Sequence, residues 1–159
     1  MEKELPVRKK IRLDGYDYSQ AGYYYITMCV QDRHEMLGKV VGTTALGRPP
    51  YVELTPLGIC VDETIQVANK DTVKIDKYVI MPNHTHMIVV LNADDRGRSS
   101  LQQVVRNIKS YVTKWAGFSL WQARFYDEII HNEEDYQRIW QYIDNNPAKW
   151  AEDDYFVKK

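Results

Sequence analysis

The 159-residue sequence is poor in cysteine, has no long apolar run and carries no excess of either charge. Its two cysteines, Cys29 and Cys60, are too few and too far apart for a disulfide framework or a zinc ribbon. They read as reduced residues of a cytoplasmic protein. No stretch approaches the roughly 20 apolar residues of a membrane-spanning helix. The opening "MEKELPVRKK" lacks the apolar segment of a secretory signal. A net charge of -1 names no partner by bulk electrostatics, so binding to a nucleic acid would need a local basic face. The length fits one domain over 1–159, with 1–20 as a partly extended basic arm.

What the chain has in quantity is tyrosine, 12 in all, so a role for any single tyrosine has many rivals. "GYYYITMCVQ" (22–31) is β-branched and aromatic and predicts a strand. Gly and Pro punctuate 38–54, which predicts a hairpin or loop excursion. Thr55 and Pro56 look like the cap and first residue of a helix over 55–70. "TVKIDKYVIM" and "HTHMIVVL" alternate as two strands that pair across Pro82 and Asn83. Ser99 or Ser100 could cap a helix to about Trp115, with Leu101, Val104, Val105, Ile108 and Val112 on one face. "ARFYDEII" (123–130) is expected to be a short strand. A last helix is capped by Asn132, carries acids in its first turn and is ended near Asn145–Asn146 by Pro147. The order β-α-β-β-α-β is that of an α+β, ferredoxin-like antiparallel sheet, with an added C-terminal helix.

Inside the second of the paired strands lie His84 and His86. Residues i and i+2 of a strand share a face, so the two imidazoles project side by side, a geometry suited to two ligands on one metal. Thr85 points the other way. A solvated sheet face bearing two polar residues is the plainer reading of so short a motif. A catalytic metal would want a third ligand, here through oxygen. His34 and His131 sit in charged stretches and read as surface residues. The last helix places Tyr142 and Asn146 four apart on one face, and the Asn146 amide could complete a two-His, one-oxygen site for Mg²⁺ or Mn²⁺. Packing would equally explain Tyr142, and a helix end would explain Asn146.

The combination "YVIMPNHTHMIVVL", then "LWQARFYDEIIHNEEDYQRIWQYIDNNPAKW", resembles the single-tyrosine HUH transposases, specifically the REP-associated tyrosine transposase branch. "RKKIRLDGYDYSQAGYYYITMCVQDR" resembles the start of the same family. The resemblance covers roughly 8–150 and is weakest over 36–72. It implies a ferredoxin-like domain that cleaves and rejoins single-stranded DNA, often beside hairpins. By position, His84 and His86 would be the metal-binding pair, Tyr142 the nucleophile and Asn146 the amide ligand one turn on. The tyrosine would form a 5′-phosphotyrosine intermediate with the help of Mg²⁺ or Mn²⁺. The family's middle residue is usually a large hydrophobe, and here it is Thr85.

Such DNA must be held. From Arg96 to Tyr126 there are six basic residues and no acidic one. Arg98, Arg106, Lys109, Lys114 and Arg124 are candidate phosphate contacts, interleaved with aromatics that could stack unpaired bases. Arg8, Lys9, Lys10 and Arg12 form a second basic cluster, which reads as a solvated arm or a further contact. Two other classes stay open: a non-catalytic, domesticated single-strand-binding protein, and a metal-dependent phosphodiesterase that uses water. Monomer and homodimer are both compatible with the sequence.

Overall fold

A computed structural model of the chain describes residues 22–42, 49–91, 98–153 and 155–156, with the side chains of 98–100 left aside. Strand β1 (Tyr23–Cys29) is followed by a small hairpin, β2 (Gly38–Val41) and β3 (Tyr51–Leu54). Helix α1 (Pro56–Val67), strands β4 (Val73–Met81) and β5 (His84–Leu91), helix α2 (Arg98–Ala116), strand β6 (Tyr126–Ile129) and helix α3 (Glu133–Asn145) complete the fold, and a 3₁₀ segment (Pro147–Glu152) follows. The main sheet has the order β4-β5-β1-β6, with all neighbours antiparallel. Leaving out the β2–β3 hairpin and α3, this is the ferredoxin-like arrangement expected from the element order. No described helix is long and apolar enough to cross a membrane.

Strand alternation gives the sheet two different faces. On one, Tyr24, Ile26, Met28, Met87 and Val89 meet Val61 and Ile65 of α1 and Leu101, Val105, Ile108 and Val112 of α2. Each such aliphatic side chain removed from water contributes about 1.5–3 kcal/mol. Thr85 is buried on this side of β5, with no hydrogen-bond partner for its hydroxyl. On the other face Tyr23, Tyr25 and Ile88 meet Tyr136, Ile139 and Ile143 of α3. Tyr136 packs edge-on against Tyr23 and donates its hydroxyl to Asp76. Asn132 caps α3 by accepting from the Asp135 N–H at 2.7 Å.

The caps settle most boundaries. Thr55 Oγ1 accepts from Gly58 N at 3.1 Å, with Pro56 at the first position of α1. Helix α2 begins at Arg98, ahead of the serines expected to cap it. The strand expected over 123–130 spans only Tyr126–Ile129, because residues before Tyr126 are fastened elsewhere. Trp121 makes an isolated bridge to Val30, and the Lys109 ammonium donates to the carbonyls of Gln122 and Arg124. The tip of the β4–β5 hairpin is also fastened: Pro82 O accepts from Leu37 N and Asn83 O from Val30 N, both at 2.9 Å.

Leu37 in turn abuts α1. A Cβ on Gly58 would lie 1.9 Å from the Leu37 carbonyl oxygen, a backbone atom that cannot rotate away. Gly117 differs: its φ is +83°, yet a Cβ there would meet nothing within 4 Å. Gly58→Ala should therefore cost roughly 1–3 kcal/mol of stability through overpacking. Gly117→Ala should cost only about 1 kcal/mol, from its backbone conformation. Urea unfolding of the two variants checks this. Equal effects would mean that α1 is not packed this tightly on Leu37.

Candidate metal and nucleophile site

The β1–β5 register sets Thr27 opposite His86 and Cys29 opposite His84. Tyr25 and Thr27 share the α3 face with both histidines, and both hydroxyls reach His86 Nδ1, at 2.9 Å and 2.8 Å. His84 Nδ1 lies 2.8 Å from Asn83 Oδ1. The Asn83 amide nitrogen donates to the carbonyls of Arg33 and Tyr155, so its oxygen must be the atom turned to His84. An amide oxygen only accepts, which puts the His84 proton on Nδ1 and leaves a lone pair on Nε2. His84 Nε2 and His86 Nε2 then face each other at 3.0 Å. Orienting each imidazole through its far nitrogen is what metal-binding histidines require.

Both rings are almost completely buried. Burial, and then the neighbouring His86, push the His84 pKa down to about 2. Burial pushes His86 down to about 3. The pair is neutral at physiological pH, the state in which imidazole ligates a metal.

Helix α3 brings the next two residues. Tyr142 is 45% exposed, at the rim, with its ring centroid 5.3 Å from that of His86. Asn146 is buried beside His84, close enough to favour that ring's protonated form. Its Oδ1 nevertheless makes no hydrogen bond. An orphaned buried amide oxygen beside His84, whose Nε2 converges with that of His86, fits a hard divalent cation of the Mg²⁺ or Mn²⁺ type. Tyr136 is turned away to Tyr23 and Asp76. Tyr111 lies with Thr64 and Val67 in a shallow groove of about 190 Å³ between α1 and α2.

The segment after α3 covers the site. Trp150 is buried with its ring 6.0 Å from His84, and Tyr155 stacks on His84 at 4.3 Å. The Arg33 guanidinium sits over the Tyr155 ring. Burial, and then nearby Cys29, push the Tyr155 hydroxyl up to about 12. Ligand atoms of His84, His86 and Asp153 lie within 4.8 Å of one another. Asn83, Asp153 and Tyr155 were not singled out in the sequence, although Asn83 directly precedes the histidines. Tyr25 and Thr27 were readable only once the register of β1 against β5 was known.

A second feature is a groove of about 780 Å³ between α2 and the segment 119–125. Arg106, Lys109, Lys114 and Arg124 line it with Trp121 and Phe125, and among the described residues no acidic side chain does. Arg106, Lys114 and Arg124 are exposed. Lys109 is half-buried, spends two donors on backbone carbonyls at 2.8 Å and 3.4 Å, and lies over the Phe125 ring. Burial lowers its pKa. Trp121 is buried, as a core residue would be, whereas Trp115 is 56% exposed. Arg8, Lys9, Lys10 and Arg12 lie outside the described residues, as does the side chain of Arg98.

No family model matches the chain. It is 30% identical to an uncharacterized protein of Haemophilus influenzae, over 94% of this chain and 93% of that one. It is 35% identical over 86 residues to the REP-associated tyrosine transposase of Escherichia coli K12, a match spanning 54% of this chain and 50% of that protein. Its fold resembles that of a REP-associated tyrosine transposase solved bound to a REP hairpin, with a TM-score of 0.60 and 24% identity, over 96% of this chain and 78% of that one. At that identity the structural likeness speaks for the fold, and the sequence match speaks for the lineage. The sequence match, which spans half of that transposase, and the shared fold both support a relationship to the REP-associated tyrosine transposase branch of the HUH transposases.

Proposed function

We propose that this protein cleaves and rejoins single-stranded DNA beside hairpins, with Tyr142 as the nucleophile. The observation that carries the reading is the Tyr142 ring packed 5.3 Å from His86, whose Nε2 converges with that of His84. His84 Nε2, His86 Nε2 and Asn146 Oδ1 would hold Mg²⁺ or Mn²⁺, which when bound supplies charge stabilisation to the non-bridging phosphate oxygens.

The chain's own residues do the rest. The Tyr142 hydroxyl loses its proton and its oxygen bonds to phosphorus. The bond from phosphorus to the 3′ oxygen breaks, and that oxygen leaves as a 3′-OH. The 5′ end stays on the protein as a phosphotyrosine, so a 3′-OH can run the step backwards and join strands without ATP. Position at the rim suits Tyr142 to this role, since a substrate strand must reach it and a core tyrosine could not be reached. The basic groove along α2 supports binding of a DNA strand, and the hairpin bound to the structural relative supports a hairpin substrate. The cations that line that groove among the described residues favour a polyanion as its occupant.

Incubation with labelled hairpin-bearing single-stranded DNA and Mn²⁺, followed by a denaturing gel, tests the chemistry. A covalent protein–DNA band is expected. Tyr142→Phe should reduce it about a thousandfold or more and leave hairpin binding near wild type. Tyr111→Phe should leave it intact. Released fragments without an adduct would point to a water-using phosphodiesterase, and binding alone to a non-catalytic relative.

The groove has its own test, and it separates Lys109 from its neighbours. For single strands each phosphate contact adds about -0.7 to the slope of log affinity against log salt. The double variant R106Q/R124Q should therefore flatten that slope by about 1.4, as read by fluorescence anisotropy. Lys109→Met should act first on stability, by about 1 kcal/mol, because it removes charge-assisted bonds to two carbonyls. A double variant with the wild-type salt slope would exclude this groove as the DNA path.

A further inference from the structure

We infer that Asp153 is a carboxylate ligand of the same centre, so that the segment after α3 is part of the metal site. This rests on the reading of His84 and His86 as metal ligands. The first observation is proximity: a ligand atom of Asp153 lies with those of both histidines inside a 4.8 Å cluster.

The second observation is that the segment is held in place by several independent contacts. Asp153 N donates to Trp150 O at 3.0 Å, and Trp150 is buried against the site. Tyr155 N donates to Asp153 Oδ1 at 2.8 Å. Asn83, which also orients His84, donates to Tyr155 O at 2.7 Å. Tyr155 stacks on the His84 ring. One buried amide thus ties the tautomer of a ligand histidine to the backbone two residues beyond Asp153. A carboxylate oxygen oriented by a backbone N–H is the arrangement that ligating carboxylates adopt.

The third argument is chemical. An imidazole such as His84 or His86 ligates a metal as the neutral ring, and the Asn146 amide is neutral too. A hard divalent cation on these three alone would keep its full charge in a site closed off by Trp150 and Tyr155. Mg²⁺ and Mn²⁺ favour anionic oxygen over imidazole, and Asp153 supplies one. Two nitrogens, one amide oxygen and one carboxylate still leave room for phosphate oxygens on a six-coordinate ion.

Titration of the DNA-free protein with Mn²⁺, following the free ion by electron paramagnetic resonance, tests this without any turnover. Asp153→Asn should weaken Mn²⁺ binding by about tenfold or more, with an unchanged melting temperature. Asp153→Glu, which keeps the carboxylate, should recover most of the affinity. His84→Ala serves as the reference. Wild-type affinity in D153N with lost affinity in H84A would overturn the role of Asp153 and leave the histidine reading standing. Unchanged affinity in H84A would overturn both. A D153E variant as weak as D153N would also overturn the proposal, since the carboxylate would then not be what binds. The concentration of Mn²⁺ needed for half-maximal adduct formation should rise in D153N, and adduct should recover at saturating metal.

Discussion

Two buried imidazole nitrogens held 3.0 Å apart are the constraint around which the rest of this structure is arranged. Burying two such rings is costly unless their polar atoms are matched. Each far nitrogen is matched by the protein: His84 by Asn83, His86 by Tyr25 and Thr27. That matching leaves the near nitrogens to meet each other, Nε2 to Nε2. It also explains why the histidines lie on β5, which is paired on both sides by β4 and β1. A strand hydrogen-bonded along both edges cannot twist or slip to relieve the crowding, so the convergence is imposed rather than chosen by the side chains.

The two-faced sheet separates stability from chemistry. Helices α1 and α2 cover one face with aliphatic side chains. The other carries tyrosines, threonine and the histidines, and α3 crosses it with Ile139 and Ile143 inward and Tyr142 at the edge. Thr85 belongs to the first face. Its buried hydroxyl finds no partner. Thr85 therefore belongs to the packing beneath the site and points away from His84 and His86.

How much of this was readable beforehand follows from the range of each interaction. Thr55, Pro56, Asn132 and Pro147 act within a turn of their own position, and the helices they delimit were legible. The His84–His86 pair was legible because period-2 geometry needs no partner. Tyr142 and Asn146 were legible as a pair by helical spacing, and the resemblance supplied the reason to look at them. Tyr25 and Thr27 depend on the register of two strands some sixty positions apart, which local pattern does not encode. Asp153 and Tyr155 reach the site only because the chain turns back after Pro147, and "EDDY" looks like any solvated end. Lys109 was legible as a charge. That it is fastened to Gln122 and Arg124 was not, since backbone carbonyls leave no mark in a sequence.

The near-zero net charge is consistent with a DNA-handling protein once the charges are placed. Glu133, Glu134 and Asp135 gather at the N-terminal turn of α3, where they complement the helix dipole. The opposite end of α3 carries Tyr142 and Asn146, and its partial negative charge favours a cation at the site. The exposed cations Arg106, Lys114 and Arg124 gather in the groove beside α2. The two regions meet at the end of β1. Cys29 pairs with His84, its carbonyl accepts from Gln122 N at 2.8 Å, and Val30 bridges Trp121. The half-buried Cys29 thiol feels Arg33 and Lys109 as nearby positive charges and Asp153 as a negative one. These three acids sit at a helix start and these three cations in the groove, so a chain of near-zero net charge still carries a locally basic face.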